Sequence, residues 1–372
     1  FLALGAGALA GGGSLTLMLV LFVQLSWPHT EPLGNPEFGI NFSCNYAEFL
    51  FLEASGGAAL PDDRPGRAAW CASTLGSLIE ATGARHVRLS VEWAQIEPAQ
   101  GRFDFTLLDA LLAEAEAGDA RVLLTVGIKA QRHPEYYIPA WALALGPPPD
   151  GAAIGAPTPV GAHALAMVAA VAAHAALSPA IDAWAAENEP YVVSARSNGW
   201  TLDRDFVRAE AEAIRAADPL RRPVSIGHAQ HFVFDRRWQH ALADGDVLTT
   251  SIYPFRNYGQ FVVPILEIGP FAPNYAHHAR EARDAGKEFW ITEMQAEPWT
   301  DDDIRPLSPQ NPSANLTARN FRRNIEYARR SGASRVYLWG AEWWLYQRER
   351  FGDGTWLDLG RAAIAGAAPA TR

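Results

Sequence analysis

Two glutamates stand where this chain is able to do chemistry. The stretch Ile181 to Tyr191 (IDAWAAENEPY) begins as a short apolar run and ends in Glu187-Asn188-Glu189-Pro190. The run reads as a buried strand, and the chain must leave the sheet at Pro190, which has no N–H to give to a ladder. A second run, Glu288 to Ala296 (EFWITEMQA), carries Glu293 in the same way. Apolar strands that deliver an amide and carboxylates at their C-terminal ends are how a parallel barrel builds a site. Paired carboxylates on separate strands suit acid/base and nucleophilic work on a glycosidic bond. Glu189 and Glu293 are therefore expected to face each other across a sugar-binding cleft. Glu187 and Glu297 are their rivals. Simple alternation puts Glu187 and Glu189 on one face and Asn188 on the other, so Asn188 and Glu189 reach one cleft only if the strand bulges or turns there.

The elements that must position them alternate between strand and helix. Strands are expected at Phe38 to Cys44, His86 to Trp93, Arg121 to Ile128, Ile181 to Ala186, Pro223 to His228, Asp246 to Tyr253, Phe289 to Glu293 and Arg335 to Gly340. Between them, helical patterns run over Arg67 to Thr82, Phe105 to Ala117 (Asp104 as N-cap), Ala162 to Ala176, Asp203 to Ala217, Asn274 to Ala285 and Asn315 to Arg330, with a weak closing helix at Ala362 to Ala367. Asn45 to Pro65 reads as a loop. Eight strand–helix units imply an α/β fold closed into a (β/α)8 TIM barrel, a single catalytic domain over residues 35–372. No GxGxxG follows the first strand, against a dinucleotide-binding sheet.

Polar residues at the strand ends are then the candidate site. Strand two offers Arg88 and ends in Glu92-Trp93; strand three is followed by Lys129, Arg132 and His133. Asn188 and Glu189 follow strand four, His228 strand five, Tyr253 strand six, Glu293 and Gln295 strand seven, Trp339 and Glu342 strand eight. Trp93, Arg88, His228, Tyr253, Gln295, Trp339 and Glu342 are expected to contact substrate. Glu97 is expected to hold its loop.

Several short motifs fall in a telling order: Val87-Arg88-Leu89-Ser90 with Trp93, Glu97-Pro98, Gly101-Arg102-Phe103-Asp104-Phe105, Asn188-Glu189-Pro190, Tyr253, Thr292-Glu293 and Trp339. In this order and strand placement the chain resembles the retaining glycoside hydrolases of clan A, which include many cellulases, β-mannanases and β-galactosidases. The likeness spans most of residues 35 to 345. It implies Glu189 as general acid/base and Glu293 as nucleophile, cleaving β-glycosidic bonds of an oligo- or polysaccharide by double displacement. It also implies Asn188 on the sugar 2-OH, Arg88 and Tyr253 on Glu293, Trp339 as the floor of the subsite, and no cofactor. Two features depart from the cellulase-like pattern. Ile252, not His, precedes Tyr253, and His133 lies further beyond strand three than the usual His.

Composition narrows the alternatives. A formal net charge of -10 argues against a nucleic-acid partner. No HExxH motif is present, and strand one holds no His-x-His, so no metal site is expected. Cys44 and Cys71 are a pair or two isolated thiols. Phe1 to Trp27 carries no charge and is most apolar over Leu15 to Val23, so residues 1–34 read as a signal or membrane anchor with its linker. That reading places the protein outside the cytoplasm, secreted or membrane-anchored; a buried globular helix is the competing reading. A monomer is expected. A transglycosylase using the same two glutamates and a non-catalytic carbohydrate-binding barrel are the competing functions.

Overall fold

The computed structural model describes residues 18, 29–52, 63–193, 197–229, 235–258, 261–264, 273–300 and 303–366. Eight parallel strands form a closed barrel. They are β1 (Glu37–Asn41), β2 (His86–Ser90), β3 (Arg121–Val126), β4 (Ile181–Ala186), β5 (Val224–Gly227), β6 (Val247–Ile252), β7 (Glu288–Gln295) and β8 (Arg335–Trp339). Each strand pairs with its sequence neighbours, and β8 closes on β1 through Phe38 opposite Val336. This is the barrel expected from the alternation.

Among the described residues, each strand is followed by one of the helices α1 (Arg64–Thr82), α2 (Thr106–Ala117), α3 (Pro159–Ala175), α4 (Arg204–Ala217), α5 (Arg236–Asp244), α6 (Tyr275–Asp284), α7 (Ala318–Arg329) and α8 (Thr355–Ile364). Their starts are set by local chemistry. Asp63, Thr158, Asp203, Asp235, Asn274 and Thr317 each accept a backbone N–H of the first turn, which satisfies donors that have no partner inside a helix. α2 differs from expectation. It starts at Thr106 and is capped at Phe105 without a side-chain bond, because Asp104 accepts from Thr106 N at 3.0 Å and pairs with Arg64.

The structure also adds elements. Cys44–Leu52 is a helix inside the stretch read as a loop, and Ala341–Phe351 is a further helix after β8. Both are apolar on more than one face, so neither shows the one-sided stripe of a surface helix. α8 begins at Thr355, seven residues before the expected closing helix. The Cys44–Leu52 helix is tied to α1 by a Cys44–Cys71 disulfide with Cα atoms 5.5 Å apart.

The barrel interior holds Leu123, Ala183, Ala185, Val247, Trp290 and Tyr337. The two alanines of β4 leave the room that the Trp290 and Tyr337 rings occupy. At the N-terminal end, Arg335 binds Asp182 at 2.9 Å and Glu37 at 3.2 Å and covers the Trp290 ring. Conventional packing and pairing thus close the bottom, where a barrel carries stability rather than chemistry. Among the described residues, no helix is long and apolar enough to cross a membrane. The apolar segment Phe1 to Trp27 lies outside the described residues, Met18 excepted.

Candidate active site

The chain breaks from β4 by an abrupt change of backbone. Glu187 and Glu189 adopt φ of 70° and 45°, the left-handed region that residues with a Cβ seldom enter. This is the turn that alternation required, and it parts the Glu187 side chain from those of Asn188 and Glu189. The Glu187 carboxylate turns back under β3, accepting Ile128 N at 2.7 Å and Lys129 N at 2.6 Å. Only glycine fits above it: a Cβ on Gly127, at φ +156°, would lie 2.2 Å from the Glu187 carboxyl carbon. Glu187 is therefore spent on holding the β3 and β4 ends together.

Asn188 and Glu189 turn to the barrel mouth. β7 reaches the same place through a bulge. Its register against β6 and β8 slips just after Ile291, which re-aims Glu293. Arg88 on β2 joins the strands. Its guanidinium is 1% exposed and donates to Glu293 Oε1 at 2.9 Å and to Asn188 Oδ1 at 2.7 Å. It also donates to Asn41 Oδ1 and Thr125 Oγ1, both at 3.3 Å. The second Glu293 oxygen accepts the Tyr253 hydroxyl at 2.6 Å. Asn41 donates in turn to Thr292 O at 2.9 Å, fixing the residue before Glu293. Both oxygens of Glu293 thus face donors, one of them a buried cation.

Glu189 sits in the opposite environment. Burial and, next, the negative charge of Glu293 push its carboxyl up to about 7, with Lys129 opposing them. Tyr253 is raised well above its ordinary value, by burial and by Glu293.

A second buried cluster flanks this one. Arg132, at φ 73°, pairs with Glu297 and with Glu342 at 3.0 Å. Its guanidinium lies between the rings of Tyr46 at 3.5 Å and Trp339 at 3.9 Å. A Cβ on Gly340, at φ +122°, would lie 2.3 Å from Glu297 Cβ, so this approach also needs glycine. Trp339 meets Tyr253 edge to face at 6.3 Å, and Trp299, 40% exposed, leans over Tyr253 at 5.7 Å.

The geometry brings Arg88, Asn188, Glu189, Tyr253, Glu293 and Trp339 to one place. It withdraws four expected substrate contacts. His228 is buried against Asp235 at 3.1 Å, and burial lowers it to about 4. Gln295 spends its amide on Phe255, accepting from N and donating to O, both at 2.9 Å. Trp93 is buried and donates to Glu97 at 2.7 Å, so Glu97 holds its loop as expected. Glu342 is buried between Arg132 and Ser43 N. Gln295, Trp93 and Glu342 have their polar atoms engaged within the protein, and His228 is buried with Nε2 on Asp235 and Nδ1 without a hydrogen-bond partner among the described residues. Of the rivals, Glu187 serves the backbone and Glu297 serves Arg132. Trp299, Asn41 and Thr125 were not singled out in the sequence. Trp299 follows Glu297-Pro298 and only its loop position hinted at it; the other two face the barrel from strands and carried no signal. A separate cavity of about 250 Å³, lined by Glu92, Gln95, Gln131 and α2 side chains, lies off this centre and includes neither Glu189 nor Glu293.

A closed parallel barrel with this constellation at its C-terminal mouth defines the class of fold. The comparisons with known proteins agree with it. The family model described as β-galactosidase, glycoside hydrolase family 42, matches residues 72–146, the segment that contains Arg88, Trp93 and the Gly101 to Phe105 motif. No curated protein matches the chain significantly. Among solved structures, the β-galactosidase of Rahnella sp. R3 aligns with TM-score 0.56 at 13% identity, covering 92% of this chain and 57% of that one. The β-galactosidase of Halorubrum lacusprofundi aligns with TM-score 0.55 at 15% identity, covering 88% and 57%. The GH5_18 protein of Bifidobacterium longum aligns with TM-score 0.56 at 14% identity, covering 82% and 69%. Residues 72–146 are thus similar to the glycoside hydrolase family 42 β-galactosidases, and the fold is the one these solved structures share. The chain spans little more than half the length of the two β-galactosidases.

Proposed function

We propose that the protein is a retaining β-glycosidase in which Glu189 is the general acid/base and Glu293 the nucleophile. The observation that carries this reading is the Arg88 bridge. One guanidinium binds Glu293 and Asn188 at 2.9 and 2.7 Å, while the neighbouring Glu189 is held protonated toward neutral pH. Glu293 attacks the anomeric carbon as Glu189 protonates the leaving oxygen, giving a covalent glycosyl ester. Glu189, now ionised, takes a proton from water, and that water displaces Glu293. Asn188 Oδ1 accepts from Arg88, and its amide nitrogen donates to the sugar 2-OH. Trp339, with one face against Arg132, offers the other to the sugar ring.

The family segment makes aryl β-galactosides the first substrates to test, with β-glucosides, β-mannosides and oligosaccharides beside them. Glu189→Ala and Glu293→Ala should each lose activity by about 10²–10⁴-fold or more. Full activity in either variant would move its role elsewhere. An exported protein, secreted or tethered through residues 1–34, remains part of the proposal. Detection of the full-length chain in the cytoplasmic fraction alone would refute it.

A further inference from the structure

Lys129 follows β3 and is fully buried, an expensive place for an ammonium group. It touches each of three consecutive site residues with a different group. Its N–H donates to the Glu187 carboxylate at 2.6 Å, its carbonyl accepts Asn188 N at 2.8 Å, and its Nζ donates to the Glu189 carbonyl at 3.0 Å. Nζ also reaches Val192 O at 3.3 Å and Glu135 at 3.3 Å, and lies 5.9 Å from the Tyr136 ring. Glu135, at φ 70°, is the partly exposed member of that pair.

We propose that Lys129 is the positioning residue of the acid/base: its ammonium clamps the left-handed backbone turn that aims Glu189, and Glu135 is the counter-ion that sets how much of its charge Glu189 feels. This rests on Glu189 acting as acid/base. A left-handed non-glycine residue persists only where its surroundings over-determine it, and here the Lys129 backbone holds Glu187 and Asn188 while its side chain holds the carbonyls of Glu189 and Val192. Among the described residues, the charged and titratable groups that act most on Glu189 are Lys129 and Glu135 from the β3 loop and Glu293 from β7, with Tyr253 beyond β6 also facing it. Glu187 faces Lys129 from the same turn. Lys129 is the one cation among them, so its removal and that of Glu135 must act on Glu189 with opposite sign.

The test is a pH titration of Glu189 in protein labelled with ¹³C at the glutamate carboxyl, assigned by the signal missing from Glu189→Gln. Lys129→Met should move the midpoint up by about one pH unit and Glu135→Gln should move it down. In parallel, Lys129→Met should lower kcat about 10–100-fold, as a displaced catalytic group does. The basic limb of the pH–kcat/KM profile should follow the same two directions. A role confined to folding would lower stability in both variants and move neither midpoint. Unmoved midpoints, or midpoints moved the same way, overturn the inference. If Lys129→Met does not fold, Glu135→Gln alone decides, because a midpoint that stays or rises contradicts the clamp. Failure of the underlying reading looks different: Glu189→Ala would keep wild-type turnover whatever the midpoints do.

Discussion

Replacing Arg88 by Met removes the residue that ties β2 to the ends of β4 and β7. Two of its bonds are short and charge-assisted, to Glu293 at 2.9 Å and Asn188 at 2.7 Å. Charge-assisted bonds contribute about 1.5–3 kcal/mol each, so their joint loss is about 3–6 kcal/mol. At about 1.4 kcal/mol per tenfold in rate, kcat/KM should fall by about 10²–10⁴. Folding should suffer too, because a buried carboxylate left without its partner costs about 3–5 kcal/mol. Arg88→Lys separates charge from geometry. An ammonium reaches one of the two partners but cannot fork to both, so about half of the loss should return. The assay is kcat/KM on an aryl β-glycoside, run well below the unfolding midpoint of each variant. An Arg88→Met enzyme within tenfold of wild type, or an Arg88→Lys enzyme equal to wild type, would refute the bridge as the organising contact.

Other outcomes follow from the same contacts. Trp299→Ala should raise KM for oligosaccharides about tenfold and leave kcat nearly unchanged, since a ring stacked at the mouth contributes about 0.5–1.5 kcal/mol; a kcat loss alone would remove it from the substrate path. Glu92, which receives Asn45 and Gln95 on one oxygen, is pushed up to about 8 by burial. A raised carboxyl binds its proton better in the folded state, so its contribution is complete below about pH 4.5 and lost as pH rises to about 8. Thermal midpoints should decline over that window, and Glu92→Gln should flatten the decline; an unchanged slope would refute the assignment. Cys71→Ser opens a cross-link between residues 27 apart and should cost about 3.5 kcal/mol by loop entropy, read as a lower denaturant midpoint; an unchanged midpoint would show that the bridge contributes nothing.

The barrel was legible because period-two apolar runs and helical stripes are local signals, and β4 was read with its final bounds. The proposed pair, Glu189 and Glu293, could be picked out because carboxylates at two strand ends need only the barrel to meet. What the sequence hid depends on backbone conformation and distant pairing. The left-handed turn at Glu187 and Glu189 decided which of the two faces the cleft, and alternation could state only that some break was required. Arg132 reaches Glu297 and Glu342 across 165 and 210 residues, so its burial in an ion cluster had no local trace. His228 and Gln295 stand at strand ends as catalytic groups do, yet their partners are Asp235, the cap of α5, and the Phe255 backbone in a short strand beyond β6, both placed by excursions from the barrel that no simple sequence pattern encodes. Lys129 was visible only as one polar residue among several; its three grips on residues 187–189 exist only in three dimensions.

The central claim is that Glu189 and Glu293 act as acid/base and nucleophile of a retaining mechanism. The most direct measurement is the product formed by Glu189→Ala from an activated aryl β-galactoside in the presence of azide, identified by ¹H NMR. The account predicts recovered turnover and a β-glycosyl azide, because the anion takes the place of the activated water on the glycosyl–Glu293 ester. An α-glycosyl azide, formed by direct displacement, would contradict it, as would turnover in Glu293→Ala equal to wild type.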